Sequence, residues 1–339
     1  MDKKMVYRRT GCQEQLFGAS EMYLSGGKAN GMRAVRMYNA EGMQLIVLPD
    51  RGMDIASLSI NGVNISFLSK TGLTAPCFFQ EDGARGFMRN FYAGFLTTCG
   101  LTYMGAAGKD ADRELGLHGL ISNIPASEVC CTVQWEKESP QIVVSGTVKQ
   151  AEVFGEHLVL KRKIILEAEK NEFTITDTIE NRGLEAVPFM LLYHMNYGYP
   201  FLSEHCKIKI PSLQVQPRDD DARKYLDRWN IMEEPVDGAA EQVFFHQLPT
   251  DEQGNAQYSI ENPKKNIMIQ VTYPGKNLPW LTQWKCLRSG EYVLGIEPGN
   301  CHVMGRKAAR EDGSLEYIQP LEEKEFTIQI KGIHSECCK

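Results

Sequence analysis

Apolar and polar residues alternate with a period of two along most of this chain, and that alternation predicts strands rather than helices. Strands are expected at 43–48, 54–60 and 63–68, the last two joined by Asn61-Gly62. That dipeptide favours a tight hairpin, because a type I′ turn needs positive φ at both central positions. Further strands are expected at 129–136, 142–148, 158–167, 172–180 and 187–193, then at 207–215, 267–273, 281–286, 292–296 and 325–330. In 173–178, FTITDT, apolar and hydroxylic residues alternate as on a half-buried sheet, and Asn181-Arg182-Gly183 closes the run with a turn. Helical periodicity is scarce. The best short candidate is 219–229, whose aspartates would sit favourably at a helix N-terminus. Many strands at short spacing imply an all-β fold, a large antiparallel β-sandwich with few short helices. No fixed-period repeat and no low-complexity linker divides the chain, so residues 1–339 read as one domain. The Gly-rich stretch 83–119 reads as a long irregular region, of the kind that usually carries function.

Composition narrows the picture. The chain has 339 residues and 42% of them are apolar, enough for a large core without cofactors or staples. The formal net charge is −6 and no dense Lys/Arg block occurs, which argues against nucleic acid as a partner. No apolar run is long enough to span a membrane, and the first residues, MDKKMVYRRTGCQEQ, lack the apolar stretch of a secretory signal. The ten cysteines are scattered without a CxxC pair, which argues against zinc ribbons and thioredoxin-like chemistry. Reduced thiols and a cytoplasmic location are the simpler expectation. The tail 335–339 is expected to be loose.

Three places could carry acid/base chemistry. Glu297 ends an apolar strand pattern and is followed at once by Pro298, Gly299 and Asn300, so a rigid turn would hold a carboxylate at the mouth of a sheet. The competing reading is an exposed strand-end carboxylate. His194 ends a second apolar strand and opens a polar-aromatic segment with Asn196 and Tyr197. An imidazole that titrates near neutral pH can donate a proton there, or can simply pack at a strand end. His118 lies between glycines in Gly116-Leu117-His118-Gly119, where a ligand can approach closely, although turn histidines with satisfied hydrogen bonds are commoner. One carboxylate and two imidazoles suit work on a polyol. Trp280 and Trp284 are of the kind that stacks on sugar faces, and Phe91 is a further candidate. Arg51, in a sharp Pro-Asp-Arg-Gly turn, and Arg89 could bind hydroxyls or an anionic group, or Arg51 could pin its own turn by pairing with an aspartate. The run Asp219-Asp220-Asp221 reads mainly as a solvated helix start. Cys99 lacks any feature that would stabilise a thiolate and reads as structural.

In their order and spacing these residues resemble the aldose 1-epimerase (galactose mutarotase-like) superfamily, and more closely its less-characterised branch. GLHG at 116–119 looks like that family's first histidine motif. LLYHMNYGYP at 191–200 looks like its second, and GIEPGN at 295–300 like its late glutamate motif. The two histidines are 76 residues apart, and His194 and Glu297 are 103 apart. The resemblance implies a twisted antiparallel supersandwich with a sugar cleft on one concave face. It implies that Glu297 takes the anomeric hydroxyl proton, that His194 protonates the ring oxygen, and that His118 orients the sugar. It implies no metal and no organic cofactor, a small-molecule sugar as partner, and a possible homodimer. Galactose-specific members carry an Asn-Arg pair shortly before the first histidine. Here 94–100 holds no arginine, which leaves Arg51 and Arg89 as substitutes and leaves the sugar open. Substrate binding is therefore expected from Arg51, Arg89, Trp284, Tyr197 and Asn196.

Two other functions compete. A carbohydrate-binding protein that lost turnover would need aromatics and amides but no acid/base pair. A glycoside hydrolase or lyase on the same sandwich would need a second carboxylate roughly 5–9 Å from Glu297, for which Asp54 and Asp219–Asp221 are the candidates.

Overall fold

Two antiparallel sheets stack face to face in the computed structural model, which describes residues 1–135 and 139–334. Glu136, at the end of one expected strand, and the tail 335–339 lie outside the described residues. The larger sheet runs in the order Gly18–Tyr23, Arg33–Tyr38, Met43–Leu48, Asp54–Ile60, Leu96–Leu101, Val187–Tyr197, Glu291–Gly299, Trp280–Arg288, Gln242–Gln247 and Gln214–Pro217. The second runs Ser127–Gln134, Gln141–Ala151, His157–Glu167, Glu172–Asn181, Glu323–His334, Ile267–Tyr273, Ala256–Asn262 and Lys207–Lys209. The all-β antiparallel sandwich expected from the alternation is therefore the observed architecture.

The core lies between the sheets. Leu45, Ile55, Leu96 and Tyr193 come from the larger sheet, and Ile142, Leu160, Ile175 and Ile328 from the second. Each such side chain contributes about 1.5–3 kcal/mol by leaving water. Strand Ile267–Tyr273 keeps strict alternation, its odd-numbered residues buried and its even-numbered ones half-buried. Val187–Tyr197 does not: from Phe189 onward every residue is buried. One face of that strand meets the core, and loops cover the other. The Asn61-Gly62 turn has positive φ at both residues and joins Ile60 to Val63, as the dipeptide predicts.

An ionic cluster crosses the core. The Arg162 guanidinium, fully buried, donates to both carboxylate oxygens of Asp177 (2.8 and 2.6 Å) and to Asp54 Oδ1 (3.1 Å). The Tyr193 hydroxyl donates to Asp177 at 2.8 Å, and Thr98 donates to Asp54 through both its amide and its hydroxyl. The cluster ties the second sheet to the two strands that carry Tyr193 and Thr98.

Several boundaries differ from the sequence expectation. The run 207–215 is two strands, Lys207–Lys209 in the second sheet and Gln214–Pro217 in the larger, with Pro211 in the crossing between them. The expected helix 219–229 is one turn, Asp220–Arg223, capped by Asp219, followed by the 3-10 turn Leu226–Arg228. The stretch 83–119 is not irregular throughout, since it contains helix Gly83–Met88 and the buried strand Leu96–Leu101. No helix among the described residues is long and apolar enough to cross a membrane.

Candidate active site

Strand register builds the floor of the site. Thr97 pairs with His194, and Thr282 pairs with Glu297. Leu192 pairs with Gly299 and Met195 with Ile296, which sets His194 opposite Glu297. Directly opposed residues of an antiparallel pair point to the same face. Thr97, His194, Glu297 and Thr282 therefore form one row across four strands, on the face away from the core. His194 Nε2 lies 3.1 Å from Glu297 Oε1. The contact lacks the alignment of a hydrogen bond, and Oε1 has no other partner among the described residues. Both groups are inside their strands rather than at the ends, because Val187–Tyr197 and Glu291–Gly299 continue beyond them.

His118 arrives from a loop. Its backbone adopts φ +60°, held by its amide to Gly105 O and by Gly100 N to its own carbonyl. Gly119 is required beside it: a Cβ there would stand 2.3 Å from the carbonyl oxygens of Gly100 and Tyr103. The His118 ring packs edge-on to His194 at 6.1 Å and to Phe87 at 4.8 Å. Trp284 packs edge-on to His194 at 5.5 Å, and its indole N–H donates to Glu241 at 2.9 Å. His118, His194, Glu297, Trp284 and Phe91 all line one cleft of about 690 Å³. The three acid/base candidates converge although the chain separates them widely.

Gly295 makes that convergence possible. It lies two residues from Glu297 on the same face, opposite Trp284. A Cβ at Gly295 would stand 2.7 Å from Glu297 Oε1 and 3.2 Å from both the His194 and Trp284 rings. Its backbone is ordinary strand, so alanine is tolerated by the chain but not by the site. Gly295→Ala is expected to displace Glu297 and His194 and to lower any activity that depends on the pair about 100-fold, the scale of an ångström-sized misplacement. Unchanged circular dichroism beside a lost rate would show this, and an unchanged rate would remove Gly295 from the argument.

Burial sets the protonation states. It raises the Glu297 carboxyl well above its ordinary value. The Glu241 carboxylate adds to that shift, and the Arg218 guanidinium opposes it. Burial pushes His194 down to about 3, with His118 contributing, and pushes His118 down to about 4. These directions favour a neutral carboxyl and a neutral imidazole, which between them hold one proton. The sequence expectation is an imidazole titrating near neutral pH; burial on the cleft floor instead holds His194 below that range.

Four expected sugar ligands lie elsewhere. The Arg51 side chain is buried, donates to the carbonyls of Ser122, Thr74 and Asn90, and stacks over Tyr92. It pins its own turn through carbonyls rather than through an aspartate. Arg89 is exposed and pairs with Asp82. Tyr197 points into the core, where its hydroxyl meets that of Tyr258 at 3.0 Å. Asn196 is fully buried, and its amide donates to the carbonyl of His194. None of the four lines the cleft. Arg218 does, paired with Glu241 and Asp219, and so do Lys70, Arg288 and Glu291. Sequence reasoning missed these four. The one available signal was the position of Arg218 just before the Asp219 cap. Asp54 is buried in the core on Arg162, and Asp219 caps its helix, so neither stands as a second carboxylate in the cleft. Burial raises the Cys99 thiol well above its ordinary value, in keeping with a structural role.

A family model described as "Domain of unknown function (DUF4432)" matches residues 29–331. No curated protein matches the chain. Solved structures do. A "putative aldose 1-epimerase" from Klebsiella pneumoniae superposes with a TM-score of 0.89 at 24% identity, over 96% of this chain and 87% of that one. A galactose mutarotase-like protein from Clostridium acetobutylicum gives 0.67 at 15% identity, over 94% and 99% of the two chains. A galactose 1-epimerase from Lactobacillus acidophilus gives 0.61 at 13%, over 93% and 98%. The fold is therefore galactose mutarotase-like.

Proposed function

The chain belongs to the DUF4432 family, and from that premise we propose that it is an aldose 1-epimerase, interconverting the anomers of a reducing sugar by acid/base ring opening. The observation that carries this reading is the 3.1 Å contact of His194 Nε2 with Glu297 Oε1 on the floor of an aromatic-lined cleft. The hemiacetal carbon of an aldose bears two oxygens, the anomeric hydroxyl and the ring oxygen. Adjacent acid and base groups suit that pair. Glu297 as carboxylate takes the hydroxyl proton, and His194 as imidazolium gives a proton to the ring oxygen. The bond from the anomeric carbon to the ring oxygen breaks and leaves an aldehyde. The carbon turns, the ring oxygen attacks the other face, and both protons return.

One shared proton serves both half-reactions. Carboxyl with imidazole, and carboxylate with imidazolium, carry the same net charge. Burial favours the first arrangement in the empty site. Sugar hydroxyls entering the cleft hydrogen-bond the charged groups and favour the second. Trp284 and Phe91 offer apolar faces to the C–H face of a pyranose, and Arg218 with Glu241 offers polar partners to its hydroxyls. The neighbouring solved structures with epimerase names support the reading at the level of fold.

The test is anomer exchange measured by NMR on a panel of neutral, phosphorylated and acidic aldoses, with spontaneous mutarotation subtracted. Catalysed exchange of at least one aldose is expected. Binding of several sugars with no catalysed exchange would favour a binding protein instead.

A further inference from the structure

We propose that the cleft takes a reducing disaccharide rather than a single sugar ring, with a distal subsite built from Lys70, Arg288 and Glu291. This rests on the epimerase reading and names the substrate class for the same site.

The strand pair that carries Glu297 also carries the rest of the cleft floor. Register places Thr282 opposite Glu297, Trp284 opposite Gly295, Cys286 opposite Val293, and Arg288 opposite Glu291. These pairs share one face, and Thr282, Trp284, Cys286, Arg288, Glu297 and Glu291 all line the cleft. Six residue steps of extended strand put the Cα atoms of Glu297 and Glu291 about 20 Å apart at the usual rise, a span that a disaccharide bridges only with the long Lys70 and Arg288 side chains reaching back along the cleft. One pyranose at the His194–Glu297 pair cannot reach the far end. The volume of about 690 Å³ is also several times that of a hexose.

The chemistry changes along this length. At one end stand His118, His194 and Glu297. The middle is apolar, with Trp284 on the floor and Phe67 and Phe91 beside it. At the far end Lys70 Nζ lies 2.6 Å from Glu291, and Arg288 Nη1 lies 3.5 Å from it. An aromatic floor between two polar ends suits a second sugar ring lying across Trp284, its outer hydroxyls reaching the distal charges. The Lys70 side chain is 71% exposed and that of Arg288 is 50% exposed. Exposed ion pairs contribute little to stability, so sugar hydroxyls can replace them at small cost. Lys70 and Arg288 share the one carboxylate of Glu291 at that end, while Glu241 is held by Arg218 beside Trp284, so the 6-phosphates are the control for an anionic occupant.

The experiment compares catalysed anomer exchange of glucose, galactose and their 6-phosphates with that of cellobiose, maltose and lactose. At least one disaccharide is expected to show kcat/KM about tenfold above glucose, mainly through KM, as one or two added hydrogen bonds provide. Arg288→Ala and Glu291→Gln are each expected to lower the ratio of disaccharide to monosaccharide kcat/KM severalfold. A ratio at or below one for all three disaccharides, a ratio unmoved by both variants, or a preference for the 6-phosphates overturns the distal subsite while leaving the epimerase reading intact. If no sugar is exchanged at all, the epimerase reading falls. Saturation transfer from the protein to both rings of a disaccharide then retains the elongated site, and transfer to neither removes it.

Discussion

Glu297→Gln is expected to lower catalysed anomer exchange by roughly two to four orders of magnitude, the usual worth of a positioned general base. The substitution keeps the shape of the side chain and its place opposite His194 on the strand pair. It removes the proposed acceptor of the hydroxyl proton. Sugar binding should survive, because an amide still hydrogen-bonds and the aromatic walls are untouched. The pH profile of wild-type kcat/KM provides a second readout, since it reports the groups of the free protein. The shared-proton account predicts no break that belongs to the His194 imidazole near its ordinary value of 6.5. On the acid side, activity falls only as a second proton loads the pair, close to the His194 value of about 3. On the alkaline side it falls as the last proton leaves, above the ordinary carboxylate range because burial has raised Glu297. A clear break near 6.5 that vanishes in His194→Asn would show an independently titrating imidazole and sink this account. Wild-type exchange in Glu297→Gln would show that the base has been misassigned.

The parts of the molecule legible in the sequence are those where one face of a strand meets water. Glu172–Asn181 and Ile267–Tyr273 alternate cleanly and are found within a residue of their expected limits. The turn at Asn61-Gly62 was legible because only a few residues accept positive φ. Strands covered on both faces were harder. Leu96–Leu101 is buried throughout, and its sequence, LTTCGL, shows no period. The same burial hid the true ends of Val187–Tyr197 and Glu291–Gly299. His194 and Glu297 looked like strand-end residues and are interior ones.

At the site, His118, His194, Glu297, Trp284 and Phe91 could be read because their chemistry is distinctive and their motifs are ordered along the chain. The arginines could not. Arg51 sits in a conspicuous turn, yet its guanidinium is consumed by three backbone carbonyls. Arg218 sits in no motif and enters the cleft only because strand Gln214–Pro217 pairs at the sheet edge next to Gln242–Gln247. Tyr197 and Asn196 failed for a different reason. Tyr197 is three residues from His194 and so faces the core. Asn196 shares the His194 face but is sealed beneath it. Sequence neighbourhood to a site residue says little about which side of a sheet a side chain takes.

Arg162→Met is expected to destabilise the fold by about 3–5 kcal/mol, the range for removing one partner from a buried ionic cluster. The side chain is fully buried, and its fork satisfies Asp177 and Asp54 together. Methionine fills much of the space but leaves two carboxylates in the core without their cation. Asp54 is already pushed up to about 6 by burial, even with the guanidinium present. Without Arg162 its folded-state value rises further. A carboxyl that binds its proton more tightly folded than unfolded loses stability as pH rises, so the cost of Arg162→Met should grow from pH 5 to pH 8. Urea unfolding of wild type and variant at the two pH values measures this. A loss below about 1 kcal/mol at pH 8 would refute the cluster's role. Adding Asp54→Asn and Asp177→Asn to Arg162→Met should recover part of the loss, since neutral amides are less costly to bury than unpaired charges. The functional consequence follows from the strand. Tyr193 hangs on Asp177 from the core side, and His194 projects from the next residue into the cleft. A strand released at Tyr193 no longer fixes the imidazole against Glu297. The triple variant should therefore regain stability before it regains turnover.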